Sequence, residues 1–570
     1  MTSDSTPGSP HTSELKTAPQ RGRGRHRDET LIQIISVVLI GAVVALALLN
    51  ATGAASLINS LRTAVTDNLT WYLVTLATVA LVFCIYMAVG RRGNIVLGGR
   101  GAKREYGNFA WYSMLFASGQ GIGLIFWSVA EPILVRDDNP LEGVHATTAN
   151  DGALIWGYFH WSLHAWAIYS LVAICLAISF HNMKRPLTFR DAVVSAFPRA
   201  IRPGAGVVIE VIVILATVFG LSTSFAFAAM QLSSGISETF GIENSVAMRT
   251  AVIVGIGVVA AVSVYIGIEK GMKRISETNS VLSIILVIGV LLAGPTVYLL
   301  SVLPQSIGQY FFNAPWMGLW TEAELSQEPI LNWMDSWNGN WTVFIWCWTW
   351  AFSPFVGSFI ARISRGRTLR EFVIGVLGIP TAICVIWIGI VGGAALHYDE
   401  KSGGAVSEAT AQDTSRGLFA MLQELPYGWV TFILLLTATI LVGTYYVTSL
   451  DSGVHALAGF ASSSDGHSSR IYRSVLVIGI ALIAFLLLSI GGENVVGTVQ
   501  TGTIIGAVPY TLVIILLTFV TLKRVNRLKD DPMQFELVEI DPLQKTTTHV
   551  ENNTVENEPR ASGALSTENN

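Results

Sequence analysis

The chain has 570 residues, of which 51% are hydrophobic and only 13% charged, with a mean hydropathy of +0.53; this balance excludes a soluble globular protein. A net charge of −4 is too small to point to nucleic acid or to any strongly charged partner. The four cysteines, Cys84, Cys175, Cys347 and Cys384, lie inside apolar runs and form no motif, so they read as small hydrophobes rather than a disulfide framework or a metal site.

Residues 1–29 are rich in Ser, Thr, Pro and Gly and end in RGRGRHRDE, which reads as a disordered basic tail without a signal peptide. Apolar runs then follow at 31–50, 69–89, 108–134, 153–181, 206–237, 247–268, 280–303, 341–362, 370–397, 427–455, 471–491 and 496–522. At about 1.5 Å per residue each can cross a hydrocarbon core of about 30 Å, so an all-α polytopic membrane protein with twelve transmembrane helices is expected. Between the seventh and eighth runs, residues 304–323 (PQSIGQYFFNAPWMGLWTEA) are aromatic and amphipathic, as an interfacial helix is. From Lys523 a basic patch (Lys523, Arg524, Arg527, Lys529) leads into an acidic tail over 523–570 that reads as disordered.

Arg and Lys gather on alternate loops: Arg91, Arg92, Arg100, Lys103 and Arg104; then Lys184, Arg185, Arg190, Arg199 and Arg202; then Lys270, Lys273 and Arg274; then Arg362, Arg365, Arg367 and Arg370; then Arg470 and Arg473. The positive-inside rule puts those loops, and both termini, in the cytoplasm.

Two crossings carry helix breakers. The third contains SGQGIGLIF, and glycines Gly119, Gly121 and Gly123 each cost a helix roughly 1 kcal/mol. Either the helix unwinds there to coordinate a ligand, or the Gly119/Gly123 spacing serves close helix packing. The eighth holds Ser353-Pro354, where a second interruption is expected. With the breaks in the first helix of each half, the chain divides into two peripheral helices (30–107), five crossings (108–303), an external amphipathic segment (304–340) and five more crossings (341–522). An inverted five-plus-five repeat has that layout. On the eighth crossing Trp341, Trp348, Phe352 and Phe355 share one helical face, with Trp346 and Trp350 opposite. One face then packs on protein while the other lines a pocket, and aromatic faces attract quaternary ammonium groups; tryptophan as plain packing bulk is the other reading.

Three segments, Trp341–Phe372, SMLFASGQGIGLIFWSVAEP in the third crossing and HWSLHAWAIY in the fourth, resemble the betaine/choline/carnitine transporter family over about residues 30–525. The resemblance implies a LeuT-like fold preceded by two extra helices, often assembled as a homotrimer in the plasma membrane. It implies a small zwitterionic or cationic osmolyte as substrate, no enzyme activity, and sodium as the coupling ion with no other cofactor.

Trp161, Trp166 and Tyr169 lie within an arc of about 140° on the fourth crossing, which by periodicity alone suits a pocket or a core stack equally. By resemblance they match the family's aromatic box, with Trp348, Thr349 and Phe352 and the glycine segment Gly119, Gln120, Gly121, Ile122 and Gly123 completing the substrate site. Thr349 and Phe352 depart from the tryptophans usual there, which leaves room for a solute recognised partly by hydrogen bonds, such as ectoine or proline betaine. For sodium, the resemblance pairs the hydroxyls of Thr448 and Ser449 with carbonyls of Ala117, Gln120 and Tyr445; ordinary back-bonding of Ser and Thr to the helix is the alternative. A second sodium set is Ser222, Thr223 and Phe355, with Ser224 beside them. The spans near these sites lack the fixed arginine of sodium-independent exchangers; proton coupling stays open, with Asp451 the carboxylate to watch. His160 and His164, spaced i, i+4, lack a third metal ligand and read as hydrogen-bonding groups. Glu131-Pro132 is expected to cap the outer end of the third crossing. No continuous polar pore lining favours a channel, and neither tail reads as a signalling domain.

Overall fold

The computed structural model describes residues 23–119, 121–142, 147–266, 269–323, 336–462, 469–491 and 495–528, with backbone only at 23–26, 116–119 and 269–273. Apart from a lone bridge between Val96 and Thr368, ordered structure among the described residues is helical. The helices are α1 (Arg23–Leu49), α2 (Ala51–Ala88), α3 (Asn108–Gly119), α4 (Ile122–Val135), α5 (Ala149–Trp161), α6 (Leu163–Ala177) and α7 (Phe189–Val193). There follow α8 (Arg202–Phe240), α9 (Val246–Ile266), α10 (Glu269–Ala293), α11 (Thr296–Met317), α12 (Trp337–Asn340) and α13 (Thr342–Ile363). The chain continues with α14 (Leu369–Ser402), α15 (Ala405–Gln412), α16 (Gly417–Gln423), α17 (Gly428–Ala461), α18 (Arg470–Ile490) and α19 (Val495–Leu528).

Among the described residues, eleven helical stretches are long and apolar enough to cross a membrane. The third crossing supplies the twelfth as two short pieces, α3 and α4, neither of which spans alone. The basic segment 23–29, expected to be disordered, instead forms the first turns of α1. Residues 1–22 and 529–570, the remainder of both tails, lie outside the described residues.

Burial separates central from peripheral crossings. In its most apolar window the Trp337–Ile363 stretch is 89% buried, whereas α9 is only 22% buried and offers Val254, Val258, Val262 and Ile266 to lipid. The eighth crossing is therefore the inner wall of the bundle. The two halves pack alike: α13 lies along α6, and the α3–α4 pair lies along α14. Likewise α8 packs on α18 and α19, while its counterpart α17 packs on α9 and α10. These contacts correspond in pairs, as an inverted repeat requires.

Two boundaries move for local reasons. The amphipathic helix begins at Thr296 rather than near 304, because Gly294-Pro295 ends α10 and Pro295 opens the next helix. Helix α2 begins at Ala51, with only Asn50 between it and the end of α1; Asn50 caps it, accepting from the Gly53 amide at 2.9 Å. The expected interruption of the eighth crossing is absent, since α13 runs unbroken through Pro354. Proline cannot donate to the carbonyl of Trp350, four residues back, and the Ser353 hydroxyl donates to that carbonyl instead at 2.8 Å.

Ion pairs tie the ends of the crossings together on the acidic side. Arg136 bridges to the buried Asp399 at 2.7 Å, Arg249 to Asp413 at 2.6 Å and Arg416 to Glu238 at 2.8 Å. The Arg136 guanidinium also holds the exposed Asp137 carboxyl below its usual range by hydrogen bonding.

Candidate functional site

Interruption of the third crossing creates the site. Gly121, which caps α4, takes an extended conformation (φ −129°, ψ −172°), so the helical ladder stops between Gly119 and Ile122. The last carbonyls of α3, Ala117 among them, and the first amides of α4 then lack partners within their own helices. Gln120 lies outside the described residues.

A cavity of about 50 Å³ opens at this break, lined by Gly121, Ile122, Gly123 and Leu124 from α4, Trp161 and Tyr169 from the fourth crossing, and Trp348, Thr349 and Phe352 from α13. Ser224 of α8 and Ser449 of α17 complete it. Its wall is built by close fit. Trp161 and Trp348 meet edge to face, 5.8 Å between centroids at 86°. Both indoles press on Gly123, where an added Cβ would lie 2.7 Å from Trp161 and 3.0 Å from Trp348. Only glycine lets them approach so far. Behind Trp348 stand Phe344, stacked at 5.5 Å, and Phe227 at 5.4 Å, and its indole N–H donates to Ser224 Oγ at 3.2 Å. Phe352 lies edge-on to Trp348 at 6.4 Å.

The two faces of α13 divide their work. Trp348 and Phe352 face the cavity, while Trp346 and Trp350 are fully buried, Trp346 against Phe159, His160 and His164. Trp341 sits in a cluster with Trp127 and Trp337 instead. Trp166 is buried one layer back, its ring 5.5 Å from Tyr169, and is not among the lining residues. The fourth crossing also bends at Ser162 (φ −111°, ψ −111°), directly after Trp161. No glycine or proline marks that bend. Ser162 Oγ donates to the carbonyl of Tyr158 and meets Tyr310 Oη at 3.2 Å, which holds the distortion in place.

Of the groups singled out for sodium, Ser449 reaches the cavity beside Gly121. Thr448 Oγ1 donates to the Tyr445 carbonyl at 2.9 Å, so these two oxygens lie together on α17. Tyr445 Oη meets Ser283 Oγ at 3.1 Å. Ser222 donates to the Ile480 carbonyl at 3.2 Å, Thr223 pairs with Thr503, and Phe355 lies 6.3 Å from Phe352. Asp451 accepts from Ser263 at 3.1 Å, beside His455. His164 stacks on Trp346, and His160 is engaged by Glu131 and Thr342.

Glu131 corrects the sequence expectation. It does not cap a helix end at the surface but is fully buried, accepting from the Trp161 indole at 2.6 Å through Oε2 and meeting His160 Nδ1 at 2.5 Å through Oε1. The signal was available: an ionisable residue inside an apolar crossing faces the bundle interior and merits a functional reading.

A family profile described as "BCCT, betaine/carnitine/choline family transporter" matches residues 31–530. The chain is 34% identical over 493 residues to a glycine betaine transporter of Acinetobacter baylyi, covering 86% of this chain and 72% of that one. It is 35% identical over 486 residues to glycine betaine transporter 1 of Vibrio parahaemolyticus, covering 84% and 90%. A high-affinity choline transport protein of Escherichia coli is 35% identical over 445 residues, covering 78% of this chain and 64% of that one.

Proposed function

Because the chain belongs to the betaine/carnitine/choline transporter family, we propose that it imports a compatible solute of the betaine, ectoine, choline or carnitine type by sodium symport and alternating access. The protein is a membrane-embedded solute transporter, not an enzyme.

The observation that carries the reading is the cavity at the break in the third crossing, walled by Trp161, Tyr169, Trp348 and Phe352. Aromatic faces attract a desolvated quaternary ammonium at about 0.5–2 kcal/mol each. The hydroxyls of Ser224 and Ser449 in the same wall suit a carboxylate or other acceptor on the solute, while Thr349 Oγ1 donates to the Ile345 carbonyl at 2.8 Å. A zwitterion such as glycine betaine or ectoine carries both groups.

For sodium the donor set is hard oxygen: the freed carbonyls of α3 together with Thr448 and Ser449 across the gap. The ion supplies the electrochemical drive; the chain's part is to join ion and solute at one break, so that filling both draws α4, α13 and α17 together. The arginine-rich ends of the crossings, and both termini, face the cytoplasm of a plasma membrane.

Uptake of labelled glycine betaine into proteoliposomes, with and without an inward sodium gradient, tests this reading. Sodium-dependent accumulation that choline, carnitine or ectoine competes for, with Trp348→Leu raising KM about tenfold or more, is the expected result. Unaltered KM in Trp348→Leu overturns the solute site. Accumulation driven by a pH gradient alone overturns sodium coupling.

A further inference from the structure

Glu131 has no account in stability. A charged residue is rarely fully buried unless paired, and a buried ion pair seldom gains more than an apolar pair of the same volume. Here the carboxylate sits in a dry aromatic shell. His160, its partner, lies against Trp156 at 5.5 Å, stacks on Trp337 at 6.0 Å and meets Trp346 edge-on at 5.7 Å. The far nitrogen of His160, Nε2, contacts Thr342 Oγ1 at 3.1 Å, so the chain Trp161–Glu131–His160–Thr342 ties α4, α5 and α13 together.

One end of that chain is a wall of the solute cavity. Trp161 is the last residue of α5, directly before the bend at Ser162. Its indole N–H donates to Glu131, a charge-assisted bond of 2.6 Å, whereas Trp348 donates only to a neutral serine hydroxyl at 3.2 Å. The stronger bond holds Trp161 at right angles to Trp348, against Gly123. An anion bonded to the indole N–H also polarises the ring, since hydrogen-bonded groups polarise one another in a low dielectric. The ring face becomes more negative, which is the property that attracts a cation.

We infer that Glu131 is a positioning residue that sets the charge selectivity of the cavity: through Trp161 it favours a positively charged head group over a neutral one of identical shape. The inference rests on the cavity being the solute site, and its test is chosen so that the two can fail separately. Glycine betaine and choline each have a carbon analogue in which an uncharged tert-butyl group replaces the trimethylammonium. The measured quantity is the ratio of inhibition constants within each pair, in proteoliposomes carrying the intact protein.

Glu131→Gln keeps the shape and an acceptor for the indole while removing the charge. It is expected to reduce the preference for the ammonium compound about tenfold and to change binding of the tert-butyl analogue less than about twofold. Trp161→Phe, which removes the N–H and keeps a ring, is expected to erase the effect, so that Glu131→Gln adds nothing in that background. If Glu131→Gln weakens both members of a pair equally, the residue is only a structural support and the inference is overturned. An unchanged ratio overturns it as well. Trp348→Leu separates the two failures: when it weakens ammonium binding while Glu131→Gln leaves the ratio intact, only the inference falls. When Trp348→Leu has no effect either, the cavity assignment falls with it.

Discussion

The third and eighth crossings both carry residues that helices avoid, and only the third is broken. In the eighth, the proline removes one donor and the neighbouring Ser353 hydroxyl replaces it at the Trp350 carbonyl, with Tyr510 Oη 3.0 Å from the same hydroxyl. The ladder has one gap and the gap is filled. In the third, glycine replaces side chains on both sides of Gln120, and an added Cβ at Gly121 would meet nothing within 4 Å. At Gly121 no packing opposes the extended backbone, and the groups freed there are left for a ligand. A helix breaker in a membrane matters only when nothing nearby supplies the missing bond.

The largest effect that sharpens this contrast is expected two residues further on. Gly123→Ala forces two indoles apart; overpacking at about 1–3 kcal/mol predicts a roughly ten- to hundredfold rise in KM for uptake. Normal KM in that variant would break the account of the cavity wall. Next comes Ser353→Ala, which leaves the Trp350 carbonyl without a donor inside the bundle. Thermal unfolding in detergent should register a loss of about 1–3 kcal/mol, with little change in KM. A stability equal to the parent would mean that α13 does not depend on the substitute donor.

Ser449→Ala removes one hydroxyl from the cavity and from the proposed ion set. A several-fold increase in the sodium concentration for half-maximal uptake is expected, about 1 kcal/mol for one lost ligand hydrogen-bonding group. A change in solute KM at saturating sodium, with no change in sodium dependence, would reassign the residue to the solute alone. The smallest effect belongs to Gly121→Ala, where the backbone is extended and the space open. Uptake should stay within about twofold, a shift of about 0.5 kcal/mol. A large loss there would show that the segment must become helical or pack tightly during transport.

Much of the candidate site was legible chiefly through the three segments that resemble the transporter family, periodicity alone leaving pocket and core stack equal. Trp161, Tyr169, Trp348, Thr349 and Phe352 line one cavity with Gly121, Ile122 and Gly123. Helical periodicity separated the faces of the eighth crossing, since ring direction follows from position on a helix. Ser224 could be located but not given its role: one helix sequence does not say that its hydroxyl meets an indole from another. Trp166 shows the converse limit. It shares an arc with Tyr169 on the same helix, yet its ring is buried in the layer behind the lining residues, and a helical arc does not say which neighbours cover it.

Composition and period alone determined that this chain is a bundle of apolar helices, because every backbone polar group in lipid must be bonded within its own segment. They also marked where the third helix is weak, as glycine's cost is intrinsic to the residue. The tertiary structure decided the rest. Whether Pro354 interrupts its helix depends on a serine hydroxyl turned toward one carbonyl. Whether Glu131 is a surface cap or a buried acceptor depends on which indole and imidazole reach it from another crossing. Such outcomes are set by distances between segments far apart in the chain, and no local preference encodes them.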